Sequence, residues 1–173
     1  IDPFAAALES ALNGYKSEKE WKETEHQRTR QKNLMNHIGD LQQSIIGKLP
    51  GWTSHQSGTG MPDVVGRRGR QLILCEVKNK HNTMNSKSAE ALFQTLARYA
   101  DDNKKAKCYC VQILAKKSFC NLWSGIINHK EYSHSRVYKI SGDQFYALLS
   151  GHNDALFQLY KALPTAIKDY LQS

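Results

Sequence analysis

The first fifty residues contain two stretches that differ in how their apolar side chains are distributed. Residues 16–32 mix acidic and basic side chains with almost no apolar ones, which predicts an exposed helix supported by ion pairs three or four residues apart. In the next stretch apolar side chains recur at helical spacing, and Pro50-Gly51 ends the pattern. We expect this second stretch to be a helix that packs on a core through Leu34, Ile38, Leu41, Ile45, Ile46 and Leu49.

After Gly51 the pattern changes from helical to strand-like. Residues 52–56 are predicted to form a short strand. Residues 62–78 are predicted to form an antiparallel hairpin with an arginine-rich turn at residues 66–70. The second arm of this hairpin, Gln71–Lys78, is a nearly continuous apolar run, which is typical of a strand buried on both faces.

A polar loop over residues 79–87 leads into a second amphipathic helix. Ser86 or Ser88 is expected to cap it, because a serine hydroxyl accepts a hydrogen bond from a free amide at a helix start. Its apolar stripe predicts which side chains face the core, namely Ala89, Leu92, Phe93, Leu96 and Ala100. The apolar residues 108–114 then predict another buried strand.

The last third of the chain is predicted to return to helices. Residues 118–135 are rich in Trp, His, Asn and Ser and are expected to be irregular, whereas residues 136–140 predict a last strand. Two helices follow, at about residues 142–150 and 153–172, and Pro164 is expected to kink the second. The whole pattern predicts one α/β domain over residues 1–173, with a mixed sheet flanked by helices. Its parts are the N-terminal helices in 1–50, the sheet core in 51–140 and the C-terminal helices in 141–173.

Composition narrows the class of protein. The 173 residues are 40% apolar and 23% charged, which is typical of a folded domain. No apolar run approaches the length of a membrane span, and no signal peptide opens the chain, so we expect neither a membrane protein nor a secreted one. The four cysteines lie in or beside apolar stretches, and we interpret them as reduced thiols of a cytoplasmic protein. The chain lacks an initiator Met, so Ile1 is expected to mark a trimmed start.

The positive charge is concentrated in the middle of the chain. The formal net charge is +8, and residues 64–140 alone contain 15 Lys and Arg against 5 Asp and Glu. A basic middle between nearly neutral ends is typical of a surface that meets phosphates. A basic face that only contacts solvent would have the same charge pattern, so charge alone does not decide between the two.

The residues that suggest catalysis are Pro62-Asp63 and, twelve residues later, Glu76-Val77-Lys78. Residues two apart on a strand face the same side, so Glu76 and Lys78 project together, and Asp63 comes from the neighbouring arm of the hairpin. Two converging carboxylates suit Mg²⁺, which can stabilise charge on phosphorus and acidify a bound water. Lys78 is placed to contact the attacking water or the phosphate. The alternative is a buried Glu–Lys ion pair with no catalytic role.

One geometrical condition accompanies this hypothesis. A simple hairpin that turns near Arg68 pairs Asp63 with Ile73 rather than with Glu76. We therefore expect a bulge or a strong twist to bring the two carboxylates to one ion.

This spacing resembles the PD-(D/E)XK nuclease superfamily. Residues 78–86 (KNKHNTMNS) also resemble the segment after the catalytic strand in type II restriction endonucleases that read GGNCC or GGWCC. Three further segments resemble the same family: residues 36–40 with Gln43, residues 115–118 with Trp123, and residues 143–149. Together they cover most of the chain from about residue 25 onward.

The resemblance implies an activity and roles for individual residues. It implies a Mg²⁺-dependent homodimer that cuts both strands of a short palindromic site in double-stranded DNA, with a cognate DNA methyltransferase in the same cell. Asp63 and Glu76 would be metal ligands and Lys78 the catalytic lysine. Asp40, on the preceding helix, would bind a second ion or orient water, or it is a plain surface residue.

Further residues are candidates for DNA contacts. Asn and Lys side chains can read base edges or bind phosphates. Three of them directly follow the predicted catalytic strand, together with a His and a Thr. Basic side chains at the hairpin turn and after the strand 108–114 are candidates for backbone contacts. The complete set is Asn79, Lys80, His81, Asn82, Thr83, Arg67, Arg68, Arg70, Lys116 and Lys117. A solvated loop that caps the following helix is the alternative for residues 79–83.

Two other functions fit the same residues. One is a structure-specific nuclease of repair or recombination, which would prefer branches or mismatches and have no fixed recognition sequence. The other is a DNA-binding module with a disabled site. The complete set Asp63, Glu76 and Lys78 argues against the disabled module, because such a module would be expected to lack at least one of them.

Overall fold

A computed structural model describes residues 3–55, 59–80 and 84–172, and the chain divides after Asp40 into two compact units. The first unit contains helix α1 (Pro3–Asn13) and most of helix α2 (Glu18–Gly47). The second unit contains the end of α2, eight strands and three further helices. Within the described part of the chain, no helix is both long enough and apolar enough to span a bilayer.

Polar contacts tie α1 to α2 in the first unit. The Glu9 carboxylate accepts hydrogen bonds from Trp21 Nε1 at 3.2 Å and from Arg28 Nη1 at 2.5 Å. The start of α2 is capped, since Ser17 Oγ accepts from the Glu20 amide and the Glu20 carboxylate accepts from the Lys16 amide. The predicted exposed helix over residues 16–32 is confirmed as part of α2. Helix α1 was not predicted from the sequence.

The second unit is built on a mixed sheet, as predicted. Its six strands lie in the order β1-β2-β3-β4-β8-β5. Strand β2 is antiparallel to both of its neighbours, β1 and β3; β3, β4 and β8 are parallel, and β5 is antiparallel to β8. The strands are β1 (Trp52–Ser54), β2 (Val64–Arg68), β3 (Gln71–Lys80), β4 (Ala106–Leu114), β5 (Cys120–Leu122), β6 (Gly125–Ile127), β7 (Lys130–Tyr132) and β8 (Val137–Ser141), and the helices are α3 (Ser86–Asp102), α4 (Gly142–Ser150) and α5 (Ala155–Gln172).

Helices cover both faces of this sheet, so β3 is buried on both sides as its apolar run predicts. On one face, the odd-numbered residues of β3 from Ile73 to Val77 belong to a core with Ile46 of α2 and Phe145 of α4. On the other face, Leu74 packs with the buried stripe of α3, which consists of Phe93, Leu96 and Ala100. The predicted core face of α3 is therefore confirmed.

The predicted bulge in the β2–β3 hairpin was wrong. The strands are joined by a two-residue turn at Gly69-Arg70, and Arg68 pairs with Gln71 while Val64 pairs with Cys75. Continuing this register by one residue places Asp63 opposite Glu76 without any insertion. The physical reason is Gly69, whose φ of +59° lets the chain reverse one to two residues later than expected.

Two local predictions also need correction. The segment 118–135 is not irregular, because it contains β5 and the separate two-stranded hairpin β6–β7, whose turn residues Asn128 and His129 both have positive φ. The cap of α3 is neither Ser86 nor Ser88 but Asn85, whose Oδ1 accepts a hydrogen bond from the Ser88 amide at 2.8 Å.

All four cysteines are free thiols, and Cys120 alone among them is exposed.

Gly66 is the tightest point of the hairpin that leads to Asp63. It pairs with Trp52 of β1, and a Cβ at this position would overlap the buried Trp52 ring. We expect Gly66→Ala to lower the free energy of unfolding by about 1–3 kcal/mol through overpacking, measured by thermal or urea unfolding. Gly39→Ala is the control, because its Cβ meets open space within α2, and it should leave stability unchanged or raise it by up to about 1 kcal/mol. If Gly66→Ala were as stable as wild type, β1 and β2 could move apart at Gly66 without a loss of folding free energy.

Candidate active site

The β2–β3 hairpin brings the three residues predicted to be catalytic into contact. Glu76 and Lys78 project from the same face of β3, and Asp63 lies opposite Glu76 just before β2. Lys78 Nζ is 3.5 Å from Glu76 Oε2 and 3.9 Å from Asp63 Oδ2. One ammonium group therefore lies within ion-pair distance of two carboxylates from adjacent strands.

Backbone contacts hold Asp63 in this position. Its Oδ2 accepts a hydrogen bond from the Val77 amide at 2.8 Å, so the carboxylate is fixed against the catalytic strand itself. Its carbonyl oxygen accepts from the His55 amide at 2.9 Å. The ring of His55 also lies 2.9 Å from the carbonyl oxygen of Pro62, and since a carbonyl oxygen only accepts, the proton is on Nδ1. His55, which follows β1, and Val77, in the later part of β3, together fix the Pro62-Asp63 turn.

The electrostatics of the site favour a bound cation. Burial raises the pKa of Glu76 above its ordinary value, and the Asp63 carboxylate raises it further, while Lys78 acts in the opposite direction. The two carboxylates are mostly buried, with 10% of the Asp63 side chain and 14% of the Glu76 side chain exposed. A pair of desolvated carboxylates, with Lys78 as their one ion-pair partner among the described residues, is a suitable donor set for a hard divalent ion.

Two further residues belong to the site although the motif does not include them. Tyr99 of α3 donates a hydrogen bond from its hydroxyl to the Gly60 carbonyl oxygen at 3.1 Å. Burial raises the pKa of Tyr99, and the negative charges of Glu76 and Asp63 raise it further. Gln112 of β4 is buried and is in register with Lys78. Its one sequence signal is a polar amide inside an apolar strand.

The segment after the catalytic strand is only partly described. Asn79 lies on the opposite face of β3 from Lys78, and among the described residues its buried Oδ1 has no hydrogen-bond partner. Lys80 is the last residue of β3. His81, Asn82 and Thr83 lie outside the described residues, so their DNA contacts stay predictions.

The remaining DNA-contact candidates lie at two ends of the sheet. Lys116 and Lys117 are exposed and follow β4 at the end where Lys80 pairs with Leu114, which is the end nearer to Glu76 and Lys78. Arg67, Arg68 and Arg70 are exposed at the hairpin turn, at the other end of β3. The structure therefore does not bring these three arginines to the residues predicted to be catalytic.

The predicted ligand Asp40 is an exposed residue of α2, and its role stays a prediction. Within the described ranges, no group of three or more His, Cys, Asp or Glu side chains is arranged to hold a metal ion. The described donor set at the site is therefore the pair Asp63 and Glu76. Ions with many retained waters, such as Mg²⁺, are compatible with so few protein ligands.

Comparisons with known proteins point to one family. The sequence model of the family described as "Eco47II restriction endonuclease" matches residues 1–172. The type II restriction enzyme Sau96I of Staphylococcus aureus is 34% identical over 181 residues, which cover 100% of this chain and 68% of that enzyme. The type II restriction enzyme Eco47II of Escherichia coli is 33% identical over 180 residues, which cover 97% of this chain and 72% of that enzyme.

The charge on Glu76 has a measurable cost in stability. Because its pKa is raised in the folded state, the folded protein binds a proton at Glu76 more readily than the unfolded chain does. Ionisation therefore destabilises the fold, beginning near the ordinary pKa of 4.5 and reaching its full extent above the raised value. We expect Glu76→Gln to have a higher Tm than wild type in EDTA, with a difference that opens as the pH rises and vanishes in acid.

The control for this measurement is Glu131→Gln, since Glu131 is an exposed residue of β7. Its Tm should follow that of wild type at every pH. A Tm of Glu76→Gln at or below the wild-type value near neutral pH would mean that the Lys78 ion pair outweighs the burial of Glu76.

Proposed function

The chain belongs to the Eco47II restriction endonuclease family, and on this basis we propose that Asp63, Glu76 and Lys78 are its catalytic residues and Mg²⁺ its cofactor. It is a type II restriction endonuclease, a hydrolase that cuts DNA at a specific site. One observation supports the assignment of the residues above the others. Lys78 Nζ lies 3.5 Å from Glu76 and 3.9 Å from Asp63, with both carboxylates mostly buried.

In this proposal Asp63 and Glu76 hold the metal ion through carboxylate oxygens. When bound, Mg²⁺ supplies charge stabilisation at the scissile phosphate and acidifies a water molecule. The Val77 amide keeps Asp63 in place by its hydrogen bond to Oδ2, so this ligand is held by the same strand that carries Glu76. Asp40 is a further candidate for a second ion or for orienting water.

Lys78 has a different role from the two carboxylates. Its side chain is 29% exposed, so the ammonium group can reach a substrate while its stem stays in the sheet. It donates hydrogen bonds to the attacking water or to an oxygen of the phosphate, and so orients them for in-line attack at phosphorus. The bond from phosphorus to the leaving sugar oxygen then breaks.

Recognition of the substrate is assigned to the catalytic end of the sheet. The resemblance of residues 78–86 supports a palindromic GGNCC-like or GGWCC-like site in double-stranded DNA. Asn79, Lys80, His81, Asn82 and Thr83 are the proposed base or backbone contacts, with Lys116 and Lys117 at the same end of the sheet as Lys80. We also propose that the enzyme acts in the cytoplasm, where the four free thiols stay reduced, together with a cognate DNA methyltransferase.

Cleavage of unmethylated phage DNA tests the proposal. With Mg²⁺ the protein should give discrete bands that map to GGNCC or GGWCC sites, and EDTA should abolish them. Glu76→Gln should lose more than about 100-fold in cleavage rate, because it removes a metal ligand. The exposed Glu131→Gln is the matched control and should cut as wild type does. Retained cutting by Glu76→Gln would remove Glu76 from the mechanism, and a smear in place of bands would favour the structure-specific nuclease.

A palindromic site has a two-fold axis, and a two-fold symmetric protein matches it at lowest cost. We therefore expect a homodimer on the cognate duplex. Size-exclusion chromatography with light scattering measures this directly, with a duplex of scrambled sequence as the comparison. A single protein chain on the cognate duplex would contradict the expectation.

A further inference from the structure

A basic cleft lies at the end of the sheet away from the catalytic residues. It is an open cavity of about 500 Å³ between the β2–β3 turn, the α3–β4 loop and the start of β8. Six of its eight lining residues are cations, namely Arg68, Arg70, Lys104, Lys105, Lys107 and Arg136, and Gln71 and Ala106 are the other two. A quarter of the 24 Lys and Arg residues of the chain therefore surround one cavity.

This positive charge is poorly compensated within the protein. Arg136 lies 3.6 Å from Asp101 and donates a hydrogen bond to the Asn103 carbonyl oxygen. Among the described residues, no ion pair joins the other five cations to an acidic group. Cations this close repel one another through solvent, because the screening length at physiological salt is about 8 Å. A polyanion in the cleft would relieve that repulsion.

The position of the cleft separates it from the chemistry. Gln71 and Ala106, which line it, are at the starts of the parallel strands β3 and β4, whereas Glu76 and Lys78 lie toward the end of β3. Five residues of strand between Gln71 and Glu76 span about 16 Å. Phosphates bound in the cleft are therefore not those at the catalytic carboxylates.

We propose that this basic cleft is a second DNA-binding site, which holds the phosphate backbone of duplex DNA outside the segment being cut. The family supplies the partner, because a restriction endonuclease meets long DNA in which most of the duplex is not its recognition site. The cleft has the composition that backbone contacts need, with several long cations and no acidic lining residue. It would increase affinity for any duplex without reading its sequence.

The test is binding of a fluorescent duplex that lacks any GGNCC site, in EDTA and over a range of salt. Lys104→Gln with Lys105→Gln removes two exposed cations from the cleft. Two lost phosphate contacts should reduce the slope of log K against log salt by about 1.8. Between about 50 and 200 mM salt, the wild type should therefore lose about tenfold more affinity than the variant.

The matched control is Lys48→Gln with Lys168→Gln, which changes the net charge equally at exposed positions outside the cleft. This control should keep the wild-type slope, and neither double variant should have a Tm below that of wild type. Equal slopes for the wild type and the cleft variant would overturn the proposal. They would show that the cleft binds no duplex DNA, and that it binds only small anions or no anion at all. Equal losses in both double variants would also overturn it, by attributing the effect to net charge. No cleavage occurs in EDTA, so the result does not depend on whether Asp63, Glu76 and Lys78 are catalytic.

Discussion

The site depends on the pairing register of one β-hairpin. Gly69-Arg70 forms the turn, Val64 pairs with Cys75, and continuing the ladder by one residue sets Asp63 against Glu76. A shift of one residue would move Asp63 away from Glu76 and turn its neighbours to the other face of the sheet. The hydrogen bond from the Val77 amide to Asp63 and the tight contact of Gly66 with the Trp52 ring hold this register from both sides.

The same arrangement has an electrostatic cost at the residues proposed to be catalytic. Two mostly buried carboxylates face the Lys78 ammonium group. Burial and the charge of Asp63 together raise the pKa of Glu76. A fold selected for stability alone would replace such a group by an apolar one or complete its pairing. A site proposed to bind a divalent cation and a phosphate instead needs uncompensated negative charge, because the metal ion supplies the balancing positive charge when it binds. Strands buried on both faces supply the stability that offsets this cost.

Sequence reasoning identified which side chains come together but misplaced the turn between them. The spacing of Asp63, Glu76 and Lys78 was enough to place them together, because side-chain alternation on a strand is strict. The turn was misplaced because the glycines at 66 and 69 both fit a reversal, and only packing against Trp52 assigns Gly66 to the strand. Gln112 comes from a strand that is distant in sequence, so no local pattern could associate it with the hairpin. The short strands between residues 118 and 135 were missed because three-residue strands leave almost no periodicity.

The sequence alone does not show that the basic residues form two separate surfaces. Residues 64–140 carry most of the basic side chains, and one would assign them to a single surface around the catalytic strand. In the fold, β3 carries the chain from one end of the sheet to the other, so the arginines of the turn and Lys78 lie at opposite ends. The lysines of the α3–β4 loop then join the arginines, because a parallel connection must return to the end where β3 began. Parallel topology thus divides one basic segment into two basic surfaces, one beside the carboxylates and one remote from them.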